Sequence, residues 1–158
     1  MQELISLSEK YIEVKIFEVV SLVTPFGPVP ALLLEDDQER ILPVVIGREV
    51  ANSIKAFIEG REEEPTDIWT LAYNILSKYE GKVKQAMIYD LKEKRFLAKM
   101  ILNIKGEDVE FEGRPSDTIS FAIRANKPIL VAERIMNEVS IPKSQLKSEP
   151  EREEQPQP

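Results

Sequence analysis

The sequence predicts an α/β fold of the α+β kind: a single compact domain with a mixed, largely antiparallel sheet and about three helices. Three observations lead there. The chain has 158 residues, 42% of them hydrophobic, which suits one domain with its own core. Segments of strand-like alternation and of helical spacing succeed one another as three strands, two helices, three strands, one helix and one strand. The last strand is short and wholly apolar, as a strand covered on both faces is, so antiparallel meanders are joined by one βαβ-like step.

The elements follow in order. Tyr11 to Val20 alternates, with Ile12, Val14 and Ile16 on one side, and Pro25-Phe26-Gly27-Pro28 is a turn. Val29 to Leu34 is a second strand and Glu35 to Gln38 a hairpin-type loop. Ile41 to Ile46 is a third strand, where Pro43 marks an edge or a bulge. Arg48 to Ile58 places Val50, Ala51, Ile54, Phe57 and Ile58 at helical spacing and stops at Gly60. A second helix starts at Pro65-Thr66-Asp67, with Thr66 as the expected N-cap. Its apolar stripe is Ile68, Leu71, Ala72, Ile75 and Leu76, and Gly81 lies just past its end. Lys82 to Leu91 and Arg95 to Ile104 are strands joined by Lys92-Glu93-Lys94, and Asp108 to Gly113 is a shorter one. Arg114 to Asp117 introduces a helix over Thr118 to Ala125, with Ile119, Ala122 and Ile123 inward, stopped by Asn126-Lys127-Pro128. Ile129 to Val131 is the central strand, and Ala132 to Met136 forms one last helical turn.

Residues 1–10 read as an N-terminal extension and 11–142 as the domain. The segment 143–158 has one leucine, no aromatic residue, three prolines and many charges. It cannot bury enough apolar area to offset chain entropy, so disorder is expected there.

Composition excludes whole classes of chemistry. With no Cys and no His there is no disulfide, no thiolate or imidazole metal site, and no Ser-His-Asp or Cys-His machinery. No apolar run approaches the ~20 residues of a membrane span, and the first ten residues lack a signal-peptide core, so a cytoplasmic protein without membrane contact is expected. A charged fraction of 31% without cysteine fits a thermophile. The net charge of −7 disfavours simple electrostatic capture of a nucleic-acid duplex, although nucleic acid remains a possible partner through a local basic patch. Lys78, Lys82, Lys84, Lys92, Lys94 and Arg95 flank two strands and read more simply as a solvated face.

Three helix starts carry acids. At Gly113-Arg114-Pro115-Ser116-Asp117, proline suits the first turn, Ser116 or Asp117 can cap, and Arg114 can hold a phosphate or carboxylate. At Leu42-Pro43-Val44-Val45-Ile46-Gly47-Arg48-Glu49, Gly47 turns the chain and sets Arg48 and Glu49 at the opening of a helix. At Pro65-Thr66-Asp67 an acid stands in a third first turn. Each has a purely structural reading as cap or dipole complement. If the fold brings Glu49, Asp67 and Asp117 together, they make an oxygen-rich magnesium or manganese site, the only metal chemistry open to this composition. No nucleotide-binding glycine loop and no nucleophile elbow is present.

At these same junctions the sequence resembles the bifunctional nuclease domain family. The resemblance rests on Ile41 to Glu49, the Pro65-Thr66-Asp67 helix start, Gly113 to Arg124 and Lys127 to Val131, and covers residues 11–140. Where many members read Thr-His-Asp, this chain has Thr66-Asp67 without the histidine. The resemblance implies a compact homo-oligomeric domain, a dimer or small ring, with DNase and RNase activity. In that reading the protein hydrolyses phosphodiesters with metal assistance: Arg114, Ser116, Asp117 and Glu49 are catalytic, Arg48 and Arg124 bind substrate, and Asp117, Glu49 and Asp67 hold magnesium or manganese. The alternative is a non-catalytic homo-oligomeric module that binds a small anionic ligand or a protein partner.

Overall fold

The structure is a computed structural model, and it describes residues 9–61 and 65–146. Its elements are β1 (Tyr11–Thr24), β2 (Gly27–Glu35), β3 (Arg40–Val45), α1 (Arg48–Ile58), α2 (Ile68–Lys78), β4 (Gly81–Lys92), β5 (Arg95–Ile104), β6 (Glu107–Gly113), α3 (Pro115–Ala125), β7 (Ile129–Ala132), α4 (Glu133–Val139) and β8 (Ile141–Pro142), ending in a 3₁₀ turn at Lys143–Gln145. One eight-stranded sheet runs β6-β5-β4-β7-β1-β2-β3-β8. Every neighbouring pair is antiparallel except β4 with β7. The expected mixed, largely antiparallel α+β domain is therefore what forms.

Apolar periodicity explains the core. Leu32, Leu34 and Leu42 from the meander, Ile88 from β4 and Val131 from β7 are fully buried beneath Ile54 of α1 and Ile119 and Ala122 of α3. β7 is central because Ile129, Val131 and Ala132 have no polar face to give to solvent. The parallel β4–β7 step is crossed by α3, which packs on β4 and β5.

Pro43 lies where a strand tolerates it. Ile46 N–H donates to Pro30 O at 3.1 Å, so alternation turns the Pro43 nitrogen away from β2. β8 pairs with β3 only at Arg40 and Ile41, which leaves Pro43 on the open margin, where no ladder bond is lost.

Four details differ from expectation. Among the described residues there are four α-helices, because the turn after β7 grows into α4 and buries Ile135 and Met136. Asp67, not Thr66, caps α2, its carboxylate accepting from Thr70 N–H at 2.8 Å. In the stripe read on α2, Ile68, Leu71 and Ile75 are exposed, while Trp69, Ala72, Tyr73 and Leu76 are half-buried. The chain also continues past residue 142: Lys143 N–H donates to Glu39 O, and its ammonium lies 3.0 Å from Glu35 and 4.6 Å from the Phe17 ring centre. Residues 147–158 of the expected disordered tail, and 1–8 of the extension, lie outside the described residues. No helix among the described residues is long and apolar enough to cross a membrane.

Gly81 opens β4 beneath α2. A Cβ there would strike Leu76 Cδ1, lie 2.8 Å from its Cγ and 3.1 Å from its carbonyl oxygen. Gly81→Ala is expected to cost about 1–3 kcal/mol through this overpacking, read from urea unfolding. An unchanged midpoint would mean that α2 is not seated on β4 as described.

Candidate functional site

α1, α2 and α3 enclose a cleft of about 420 Å³, a volume within the usual range for small-ligand sites. Each helix contributes through its repeat. Ser53, Ala56 and Phe57 come from one side of α1. Asp67, Thr70 and Asn74 come from successive turns of α2, joined by Tyr73. Arg124 comes from the last turn of α3, and Thr66 and Arg61 complete the wall.

An ionic network forms the floor. Asp67 Oδ2 accepts from Ser53 Oγ at 2.5 Å, Oδ1 accepts from Thr70 N, and the Arg124 guanidinium stands 3.7 Å away. Arg124 donates to Ser120 O at 3.0 Å, to Ser53 Oγ at 3.0 Å and to Thr70 Oγ1 at 3.2 and 3.3 Å, and stacks 5.1 Å over Phe57. Its side chain is 4% exposed, so this cation is fixed by the fold. Burial alone would raise the Asp67 pKa. The hydrogen bonds from Ser53 and Thr70 and the charge of Arg124 outweigh burial and hold it below the ordinary carboxylate range. Burial lowers the Arg124 pKa against the pull of Asp67, but a guanidinium stays protonated.

A depressed folded-state pKa stabilises the protein above the unfolded value of about 4, and that contribution is lost as pH falls through the folded value. Asp67→Asn is therefore expected to flatten the acid limb of the melting temperature against pH below about 5. An acid limb identical to that of the parent would show that Asp67 gains nothing on folding.

The α3 start forms a second, separate cluster. Asp117 is clamped by Arg114 at 2.8 and 3.3 Å and accepts from Trp69 Nε1 at 2.9 Å. Arg114 is the N-cap by backbone position, Pro115 opens the first turn and Ser116 is buried. The junctions 42–49 and 113–117 do meet: Pro43, Val44 and Val45 share a depression of about 660 Å³ with Gly113, Arg114 and Pro115, because the sheet curls until β3 faces the ends of β5 and β6. Glu49 is exposed, one turn before Ser53 on the same side of α1. Arg48 lies instead in a recess of about 230 Å³ with Asn52 and Lys55.

Of the candidate residues, the fold joins Asp67 to Arg124 and Arg114 to Asp117, with Trp69 on the same helix as Asp67. It does not gather Glu49, Asp67 and Asp117 around one point. Among the described residues no three Asp or Glu side chains come within reach of one ion, and Asp67 and Asp117 have both oxygens engaged. The three acids therefore do not make one all-protein cage for magnesium or manganese, ions that are commonly held by one or two carboxylates with water and substrate phosphates. Ser53, Thr70, Tyr73, Asn74 and Arg61 were not legible as site residues. Ser53 alone left a signal, as a polar residue on the side of α1 between buried Val50 and Ile54.

The family follows from comparison with known sequences. A sequence model described as the Bifunctional nuclease domain matches residues 31–144, a span that contains every residue of the cleft and of the α3 cluster. The chain belongs to the bifunctional nuclease domain family. Within that family it is 29% identical over 113 residues to an uncharacterised protein of Mycobacterium tuberculosis, found in strains CDC 1551 and H37Rv, covering 71% of this chain and 67% of the relative. It is 28% identical over 110 residues to a protein of Oryza sativa subsp. japonica named Bifunctional nuclease 2, covering 66% of this chain and 34% of the rice protein. The bifunctional nuclease domain of this chain thus places its buried Arg124–Asp67 pair in an open cleft and its Arg114–Asp117 pair outside it.

Proposed function

We propose that the protein is a nuclease acting on single-stranded nucleic acid, with the α1–α2–α3 cleft as its substrate site. The observation that carries this reading is the cleft itself: an ionised carboxylate, a buried guanidinium and a rim arginine lie beside hydroxyl and amide side chains and two aromatic rings. A phosphate needs cationic and N–H or O–H donors, and an unstacked base needs an aromatic face. Arg61, exchanging its pair with Glu59 for the substrate, and the donors of Thr66 and Asn74 hold the phosphate. Phe57 and Tyr73 receive a base. Asp67, kept ionised, orients the attacking water, and Arg124 holds Asp67, Ser53 and Thr70 in place. The charge of −7 favours single strands, which present fewer phosphates per length than a duplex. Arg114 and Asp117, in a separate depression, stay outside the reacting centre. Family membership and the name of the rice relative support the reaction class.

The test is a cleavage assay of purified protein on end-labelled single-stranded RNA and DNA, in magnesium, in manganese and in chelator. Cleavage of either strand supports the reading. No cleavage under any condition refutes it and favours a binding module for anionic ligands.

A further inference from the structure

α1 presents two different sides. Ser53 and Phe57 face the cleft, whereas Arg48, Asn52 and Lys55 line a recess of about 230 Å³ against the β1–β2 hairpin, where Val20, Ser21 and Pro30 close it. Steps of four and three residues keep Arg48, Asn52 and Lys55 on one side of the helix. The helix rises about 10 Å from Arg48 to Lys55. Asn52 stands between them, and both cationic side chains are long enough to converge on one group beside it.

Every charged residue lining the recess is a cation. The chain has 28 acidic and 21 basic residues, so a cation readily meets a carboxylate, as Arg40, Arg61, Arg114, Arg124 and Arg134 all do. Among the described residues neither Arg48 nor Lys55 is in an ion pair. Nor do the side chains of Ser21, Arg48, Asn52 and Lys55 make a hydrogen bond to protein there. Two cations, an amide and a hydroxyl thus supply donors to one hollow that contains no carboxylate. Tetrahedral oxyanions are bound by sets of that kind. The hollow is smaller than ordinary ligand sites of ~300 Å³ and more. No aromatic ring lines it, so it has room for a phosphate group but no platform for a base.

We propose that this recess is a phosphate site, distinct from the cleft, for inorganic phosphate or a small phosphate monoester. Arg48 and Lys55 balance the charge of the anion, and Asn52 and Ser21 donate to its remaining oxygens. α1 stands between the recess and the cleft, so the site does not continue the strand-binding surface and does not depend on the nuclease reading.

Phosphorus NMR of inorganic phosphate titrated with the full chain at constant ionic strength tests it. The parent is expected to bind phosphate with a dissociation constant of about 1 mM. Arg48→Gln and Lys55→Gln, at exposed positions in a helix, should keep the far-ultraviolet circular dichroism spectrum and each weaken binding about tenfold. Arg95→Gln, beside the separate depression, should bind as the parent does. A single-stranded oligonucleotide without a terminal phosphate should leave phosphate binding unchanged. The proposal is overturned if the parent does not bind phosphate, if binding survives both α1 variants, if Arg95→Gln weakens it as much as they do, or if the oligonucleotide displaces it.

Discussion

Arg124→Leu is expected to lower the melting temperature by about 6–12 °C, the equivalent of about 3 kcal/mol in a domain of this size. Leucine keeps apolar bulk over Phe57 but removes every donor that Ser53, Thr70 and Ser120 share, and leaves the Asp67 carboxylate without its cation. The Ser120 carbonyl is the least of these losses, since a helical carbonyl keeps its backbone partner. Uncompensated charge at Asp67 is the greatest. Arg124→Lys restores the charge without the planar fork and should recover only part of the loss. A melting temperature within about 2 °C of the parent for Arg124→Leu would show that the network is not structural.

Asp67→Asn has the opposite profile, a small effect on stability and a large one on cleavage. Asparagine caps a helix about as well as aspartate, and its amide oxygen still accepts from Thr70 N–H or Ser53 Oγ. The expected cost is about 1–2 kcal/mol, a few degrees of melting temperature, because Arg124 loses its counter-charge but keeps its bonds to Ser53, Thr70 and Ser120. Removal of the charge that orients water should lower the cleavage rate by about a hundredfold or more. Asp117→Asn, at a carboxylate already occupied by Arg114 and Trp69, should retain most of the cleavage. If Asp117→Asn abolishes cleavage and Asp67→Asn does not, the reacting centre lies at the α3 start.

The fold was legible because its signals are local. Alternation over Tyr11 to Val20, helical spacing over Arg48 to Ile58 and the apolar Ile129 to Val131 each survive without knowledge of their neighbours. α2 misled because its apolar residues spread over more than one stripe. Periodicity marked Ile68, Leu71 and Ile75 as a stripe, but Trp69 and Tyr73, with more area to cover, took the side facing α3 and β4. The site was legible one residue at a time. Asp67, Arg114, Asp117 and Arg124 stood out by charge at helix ends. Their pairing depends on where α2 crosses α3, a long-range contact between residues 54 to 57 positions apart for Asp67, Thr70 and Arg124, and no local pattern encodes it. Ser53, Tyr73 and Asn74 are ordinary helix residues until three helices meet around them.

The central claim is that substrate occupies the cleft. Because the chain contains no cysteine, Asn74→Cys creates a single thiol on the cleft wall, and Lys94→Cys a single thiol by the separate depression beside Arg114. The decisive measurement is the rate of maleimide labelling of each thiol with and without a saturating single-stranded oligonucleotide. Occupancy of the cleft predicts strong protection at Asn74→Cys and little at Lys94→Cys; equal labelling of Asn74→Cys with and without oligonucleotide contradicts it.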